Sequence, residues 1–516
     1  MNWQGDAMLS LAAMPWIKKL FYVTVGAISI LSVGFITGVM TVVFPPTAIA
    51  GLILIFGAFL LWVMPELESV PYQSLRKLFF VMVFVQISIP NYYAIETGYL
   101  PWISIRKVVA LGVIILFGWV LAGSRSSKEH LFGTLKESRW LLFFMLGFLL
   151  MNFLSLFTAV SIFLSIKEFT DSLLNWYIPA FACCLVVRKE EDIVLLLKIV
   201  AVATIVNSMA GLIEFILERR YYFDLIPRGM LDSMLASNPY LATIYFGGSF
   251  RHGFYRANSI YSTSLSFSEL AALATPIAFF FVAHGRNLRE QILGVATGIW
   301  ILVAFFCSGA RGGILAALVA MPVMMVFWVA RYSKLNPHSL WAPIVAVSGG
   351  LGIIGFFVLA TVWRRLRNRV FGEGDNPIGS DDRFLQWQMA LPHIEANPVS
   401  GHGLGSAGNL VGYHIESGLP TIDSYVISLL VEVGLPGFIC FVGMIAVVVW
   451  TGLRLYIADR GGVGALAGTL ACSFIAFAVY RLVLSQTENH TLVFILLGVM
   501  FVLFKLRTSS VSQAQV

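Results

Sequence analysis

The sequence predicts an all-α, polytopic integral membrane protein with roughly 14 transmembrane helices and two long loops on one face. Three observations predict it. Charged residues make up only 12% of the 516, against 58% hydrophobic, and the mean hydropathy is +0.85, far above that of a soluble domain of this length. Apolar runs of roughly 20 residues, the length that crosses a hydrocarbon core about 30 Å thick, recur along nearly the whole chain. Two interruptions of that rhythm, about 218–262 and 364–423, are too long for hairpins and carry many aromatic residues, so they read as ordered functional loops.

The apolar runs centre near Ser32, Ile55, Phe84, Val113, Gly147, Pro179, Ile205, Ala274, Trp300, Leu318, Leu351, Gly437, Phe474 and Leu497. The first, Phe21 to Phe44, has the length of a span and no small-residue cleavage site after it, so it reads as a retained helix. The organisation expected is N-terminal helices (1–217), a first long loop (218–262), central helices (263–363), a second long loop (364–423) and C-terminal helices (424–516). Cys183, Cys184, Cys307, Cys440 and Cys472 all fall in apolar runs, where they fill the core and form neither disulfides nor a zinc site. No His/Cys cluster has metal-ligand spacing, and the acidic doublet at Asp381 and Asp382 reads equally as a solvated turn, so no metal or cofactor is expected.

Orientation follows from the cations. With the N-terminus inside, the inner loops collect Lys18, Lys19, Arg76, Lys77, Arg125, Lys128, Lys136, Arg139, Arg188, Lys189, Arg286, Arg289, Arg331, Lys334, Arg454, Arg460, Lys505 and Arg507, as the positive-inside bias requires. Both termini are then inside and both long loops outside, with Arg106, Lys107 and Lys167 as exceptions. Topology accounts for the net charge of +7, and a nucleic-acid partner gains nothing from it.

The two long loops use arginine and no lysine. The first holds Arg219, Arg220, Arg228, Arg251 and Arg256, the second Arg364, Arg365, Arg367, Arg369 and Arg383. A guanidinium grips phosphate or carboxylate with a planar fork, where an ammonium is a point charge. An anionic ligand is therefore expected, a lipid-borne phosphate or diphosphate being the natural one at a membrane. Arg219, Arg220, Arg364 and Arg365 are equally explained as span-end cations reaching headgroups. Arg251, Arg256 and Arg383 lie farther from span ends and favour the ligand. In "CSGARGGILAAL", Arg311 sits between two spans among Ser308, Gly309, Gly312 and Gly313. Small neighbours admit close approach, and the backbone N–H groups opening the next helix favour an anion. A simple hairpin with an interfacial arginine is the alternative.

"SGARGGILA", then "RFLQWQMALPHIEANPVSGHGLGS" from Arg383 to Ser406, then "DSYVISLLVEVGLPG" from Asp423 to Gly437 together resemble the O-antigen ligase and polymerase superfamily of bacterial envelope proteins. "FYRANSIYSTSLSFSELAALATP" from Phe254 looks like a weaker family segment upstream. The resemblance covers the C-terminal half of the chain. It implies glycosyl transfer at the outer leaflet of the inner membrane, with periplasmic long loops, undecaprenyl-diphosphate-linked glycans as donor and acceptor, and no metal. Asp423 falls where ligases of the family carry a histidine and polymerase-like members often an aspartate, so the resemblance implies a polysaccharide polymerase, with the ligase as the alternative.

In that reading Asp423 is the general base, although a carboxylate at a helix start is also an ordinary cap. Arg311, Arg256, Arg251 and Arg383 hold diphosphate and glycan. Arg383, Trp387 and Ala390 recur at helical spacing, which sets a cation and an indole on one side of a short surface helix, as suits a sugar on the ring. Trp387 as a hydrophobic anchor is the competing account. "GHGLGS" is expected to be a tight surface turn, and His393, His402 and His414 to be hydrogen-bonding loop histidines. Glu432 is expected to support a helix break at Gly434 and Pro436. Partners expected are membrane lipids and other polysaccharide-assembly proteins. A lipid-linked-oligosaccharide flippase and a non-catalytic scaffold remain as other classes; the former predicts ligand charges at mid-membrane and a broken-helix repeat.

Overall fold

The structure, a computed structural model, describes residues 57, 66–67, 69–90, 94–97, 100–237, 245, 250–251, 254–362, 378–414, 420–459 and 461–514. All that follows concerns the compact unit Glu66–Val516. Its helices, in order, are α1 (Tyr72–Ser88), α2 (Ile105–Gly123), α3 (Arg125–Lys136), α4 (Arg139–Leu154), α5 (Ile162–Ser172), α6 (Ile178–Val186), α7 (Glu190–Leu217) and α8 (Arg228–Ser237). There follow α9 (Ser264–His284), α10 (Leu288–Ser308), α11 (Arg311–Leu335), α12 (Trp341–Val362), α13 (Ile378–Ala396), α14 (Ala407–Val411), α15 (Tyr425–Ala458), α16 (Gly462–Arg481) and α17 (His490–Ala514). Two short antiparallel ribbons interrupt them: β1 (Ala94–Thr97) with β2 (Leu100–Ser104), and β3 (Phe250–Arg251) with β4 (Phe254–Tyr255).

Among the described residues ten helices are long and apolar enough to cross a membrane. They carry the centres expected at Val113, Gly147, Pro179, Ile205, Ala274, Trp300, Leu318, Gly437, Phe474 and Leu497. The runs at Phe84 and Leu351 form α1 and α12, which are not among those ten. Ser32 and Ile55 lie outside the described residues. The protein is thus a multi-pass, helical membrane protein.

The spans differ in depth. About three quarters of the apolar stretch of α9 (78%), α16 (72%) and α17 (78%) is buried in protein, against 33% for α15 and 28% for α11. α9 and α16 pack side by side in the middle, and the outward faces of α10, α11 and α15 present Leu302, Val326 and Trp450 to the surroundings. In lipid such faces need no cover, so the core is made by the helices that small residues let approach. Gly294 on α10 shows why: a methyl there would lie 2.7 Å from the backbone nitrogen of Val282.

α15 is broken inside its apolar run. Pro436 has no N–H to donate, and Gly434 adopts φ 70°, ψ −178°, a conformation that favours glycine. The carbonyls freed by the break are taken by another segment: His402 N–H donates to Val431 O at 2.9 Å and Gly403 N–H to Glu432 O at 3.0 Å, while Leu435 N–H donates to Pro398 O at 2.7 Å. Within a membrane such pairing is what permits a break at all.

Candidate functional site

The Arg256 segment is held from below by a carboxylate. Glu214, fully buried near the end of α7, accepts the Tyr255 hydroxyl at 2.9 Å, Asn258 N–H at 3.2 and 3.3 Å, and Ser259 N–H at 2.7 Å. Three donors converging on one carboxylate, the Asn258 N–H shared between its two oxygens, fix the loop, including Ser259 at φ 52°. Arg256 is thereby laid over the turn between α10 and α11: its Nε donates to Ser308 O at 3.1 Å, and Ala257 N–H donates to Cys307 O at 2.9 Å.

That turn is the one bearing Arg311. Gly309 ends α10 at φ 56°, with the Arg256 stem against it, so a methyl at Gly309 would sit 3.5 Å from Arg256 Cγ. Ala310 caps α11 without a side-chain hydrogen bond. Arg311, the first helical residue, is exposed. Two residues expected from sequence to bind an anion, Arg256 and Arg311, therefore meet at one turn beside the start of a helix, where the backbone supplies further positive potential.

Asp423 lies at the same end of the bundle. Its backbone N–H donates to Gln386 Oε1 at 2.9 Å, and its neighbour Ile422 accepts the Ser485 hydroxyl at its carbonyl. α15 starts at Tyr425 with Ser424 at the cap position and no side-chain cap bond, so Asp423 stands one residue before the cap. Asp423 as a residue is half-buried.

α13 is the surface helix expected around Arg383 and Trp387. Arg383 and Trp387 are both exposed, while Ala390, one turn further along the same helix, is fully buried. Ala390 joins Ala407, Val411, Ile422, Ile427 and Val431 in a small core, and the buried Gln386 turns to Asp423. Arg251 belongs to β3, and its side chain lies outside the described residues.

"GHGLGS" is not a surface turn. Gly401, His402, Gly403 and Leu404 are buried, with the glycines at φ 66°, 91° and 76° for Gly401, Gly403 and Gly405. Gly401 lies so close to the Glu432 backbone that a methyl would approach its carbonyl oxygen to 2.4 Å. The loop's function is to seat the broken α15, and Glu432 does support it: its Oε1 accepts the Ala407 N–H at 3.4 Å where α14 begins. His402 bonds Asn397 at 3.3 Å and the His393 carbonyl at 2.8 Å, a structural role.

Sequence reading missed a second buried layer beneath these residues. Arg481 at the end of α16, 2% exposed, pairs with Glu269 of α9, 0% exposed. Asn489 donates to Glu269 Oε2 and to Ser266 O, each at 2.9 Å. The signal was present: Glu269 in "SFSELAAL" and Arg481 in "AVYRLVL" are ionisable residues in apolar spans. Nothing in the sequence said that residues 212 apart were partners.

Residues 296–442 match the family model described as O-antigen ligase. That match supports the resemblance to the O-antigen ligase/polymerase superfamily. The matched span runs from α10 through the Arg311 turn, α13, the glycine loop and the broken α15, and so includes Arg311, Arg383, Trp387 and Asp423. It implies O-antigen ligase- or polymerase-like glycan processing, in a family that acts on lipid-linked glycans. No curated protein matches the chain.

Proposed function

We propose that this protein is a metal-independent membrane glycosyltransferase that polymerises undecaprenyl-diphosphate-linked oligosaccharide repeat units into a surface polysaccharide, at the outer leaflet of the bacterial inner membrane. The observation that carries the reading is the seating of Arg256 on the Arg311 turn at the end of the bundle that bears Asp423. Asp423 takes the proton of an acceptor hydroxyl. The acceptor oxygen bonds to the anomeric carbon of the donor, the bond from that carbon to the diphosphate breaks, and the lipid diphosphate leaves held by Arg311 and Arg256. Arg251, Arg383 and Trp387 receive the glycan. The described side chains of that set, Arg383 and Trp387, stand exposed on α13, whose Gln386 holds the Asp423 backbone, as a site for a long sugar chain requires.

The ligase reading is favoured by the description of the matching family, and the aspartate at 423, where the resembled ligases carry histidine, favours the polymerase. Purified protein incubated with a lipid-linked repeat unit separates the classes. A ladder of longer lipid-linked glycans means polymerase, transfer to lipid A-core means ligase, and no chemistry means transporter or scaffold. Orientation has its own test: cysteines placed near Gly248 and Gly379, in a background lacking the native five, react with an impermeant thiol reagent from outside. Labelling near Ser126 instead inverts the protein and removes the outer-leaflet mechanism.

A further inference from the structure

The residues assigned to leaving group and base come from segments far apart in the chain, and one segment outside the family match touches both. Residues 482–489, the turn between α16 and α17, lie beyond residue 442, where the match ends. Glu488 Oε1 accepts the Ser262 N–H at 3.0 Å, six residues after Arg256. Ser485 donates its hydroxyl to the carbonyl of Ile422, next to Asp423. The Arg311 turn abuts the same place, since a methyl on Gly312 would come within 2.9 Å of Val483.

The turn is anchored at both ends by the buried Arg481–Glu269–Asn489 cluster, in which Arg481 Nη1 also donates to Gln486 O at 2.7 Å. The Arg481 guanidinium lies 5.5 Å from the centre of the Tyr425 ring, two residues after Asp423. A planar guanidinium fixed by a carboxylate, a carbonyl and an aromatic face has little freedom, and so passes the position of α9 to the turn and to the start of α15.

We propose that this turn is a positioning platform: Glu488 and Ser485 hold the Arg256 segment and the Asp423 segment at a fixed separation, with the Arg481–Glu269 pair as the buried anchor. In this proposal, which rests on the transferase reading above, these residues act through Arg256 and Asp423, not on substrate.

The two tethers act on different partners and therefore on different kinetic constants. Glu488→Ala removes the acceptor of Ser262 N–H and loosens the diphosphate arm. The donor KM rises about fivefold to tenfold while kcat stays within about twofold, less than the full worth of one hydrogen bond to a charged group because the loss reaches the donor only through Arg256. Ser485→Ala loosens the Asp423 segment, and kcat falls by about fivefold with the donor KM unchanged. Equal losses in both constants, or none, overturn the platform. Arg481 and Glu269 are unsuitable as first variants because either change leaves a buried charge alone.

A readout free of turnover accompanies this. Nitroxide labels on Phe254→Cys and Thr421→Cys, in the full chain lacking its native cysteines, report the separation of the two arms. Glu488→Ala and Ser485→Ala each broaden the distance distribution; an unchanged distribution overturns the platform. If the protein transfers no glycan at all, the transferase reading fails, and the distance measurement alone decides the platform.

Discussion

The two ends of the Glu66–Val516 bundle use charge in opposite ways. At the end bearing Arg188, Arg286 and Lys505, charges close helix ends. Asp192, in the first turn of α7, accepts the backbone N–H of Arg188 and Lys189 at 3.0 and 3.2 Å and pairs with Arg76 at 2.7 Å. Glu290 in the first turn of α10 pairs with Lys198 at 2.7 Å, and Arg286 pairs with Glu190. Acids sit at helix starts, as the helix dipole favours. At the end bearing Arg256, Arg311 and Asp423, the acids Glu214, Glu269 and Glu488 order loops instead, taking N–H groups and side chains from segments 41 to 226 residues away. The first arrangement stabilises spans; the second holds a chemical site in shape. A membrane protein can spare buried charge where a loop must keep one conformation, since no apolar contact would fix loop backbone so well.

The comparison breaks first at Asp423. As a general base, Asp423→Asn folds and binds donor but makes product at least about a hundredfold more slowly, because the amide keeps size and loses basicity. Asp423→His retains part of the activity, an imidazole being basic near neutral pH. Full activity in the Asn variant, measured as chain extension, removes Asp423 from the chemistry and shifts the search to His414, Glu395 and Glu416.

Next in size is Arg311→Lys. The charge survives and the fork does not, so turnover falls about tenfold to a hundredfold, the worth of one or two hydrogen bonds to a charged group. Near-normal rates make Arg311 a turn residue and the two ends alike.

At the opposite end effects are smaller and concern stability. His130 on α3 accepts a hydrogen bond from Lys505 Nζ at its Nδ1, 3.2 Å away. Burial, helped by Lys505 and Arg188, lowers its pKa from 6.5 to about 4. A folded-state value below the unfolded one means stability that is complete above about pH 6.5 and declines as pH falls towards 4. Thermal unfolding across that window shows the decline, and His130→Gln flattens it; an equal slope in both proteins rules His130 out.

The smallest effect is expected at Arg125, whose pair with Glu129 at 2.9 Å is largely exposed. Arg125→Ala changes stability by no more than about 0.5 kcal/mol and leaves turnover unchanged. A large loss of activity there would end the distinction between a scaffold end and a site end.

The contrast also marks what is legible without coordinates. The spans follow from local composition, since an apolar run of sufficient length has no other stable environment than lipid or protein, and ten expected centres fall on ten apolar helices. The helix around Arg383 and the break at Gly434 and Pro436 follow from spacing and from proline's missing N–H. What the sequence leaves open is burial. "GHGLGS" reads as exposed because glycines mark turns, yet its backbone is spent on the carbonyls that the break frees. Ala390 and Trp387 share a helical spacing, but the core under α13 takes only the alanine.

By itself, then, the sequence determined a multi-pass helical membrane protein, two arginine-bearing loops and a superfamily resemblance that residues 296–442 bear out. These depend on runs, spacings and charges that act within a few turns of chain. Only the tertiary structure decided that Arg256 rests on the Arg311 turn, that Gln386 holds the Asp423 backbone, and that Arg481 meets Glu269. A buried charge requires a partner, but that requirement names neither the partner nor its place in the chain; the packing of α9, α16 and α17 does.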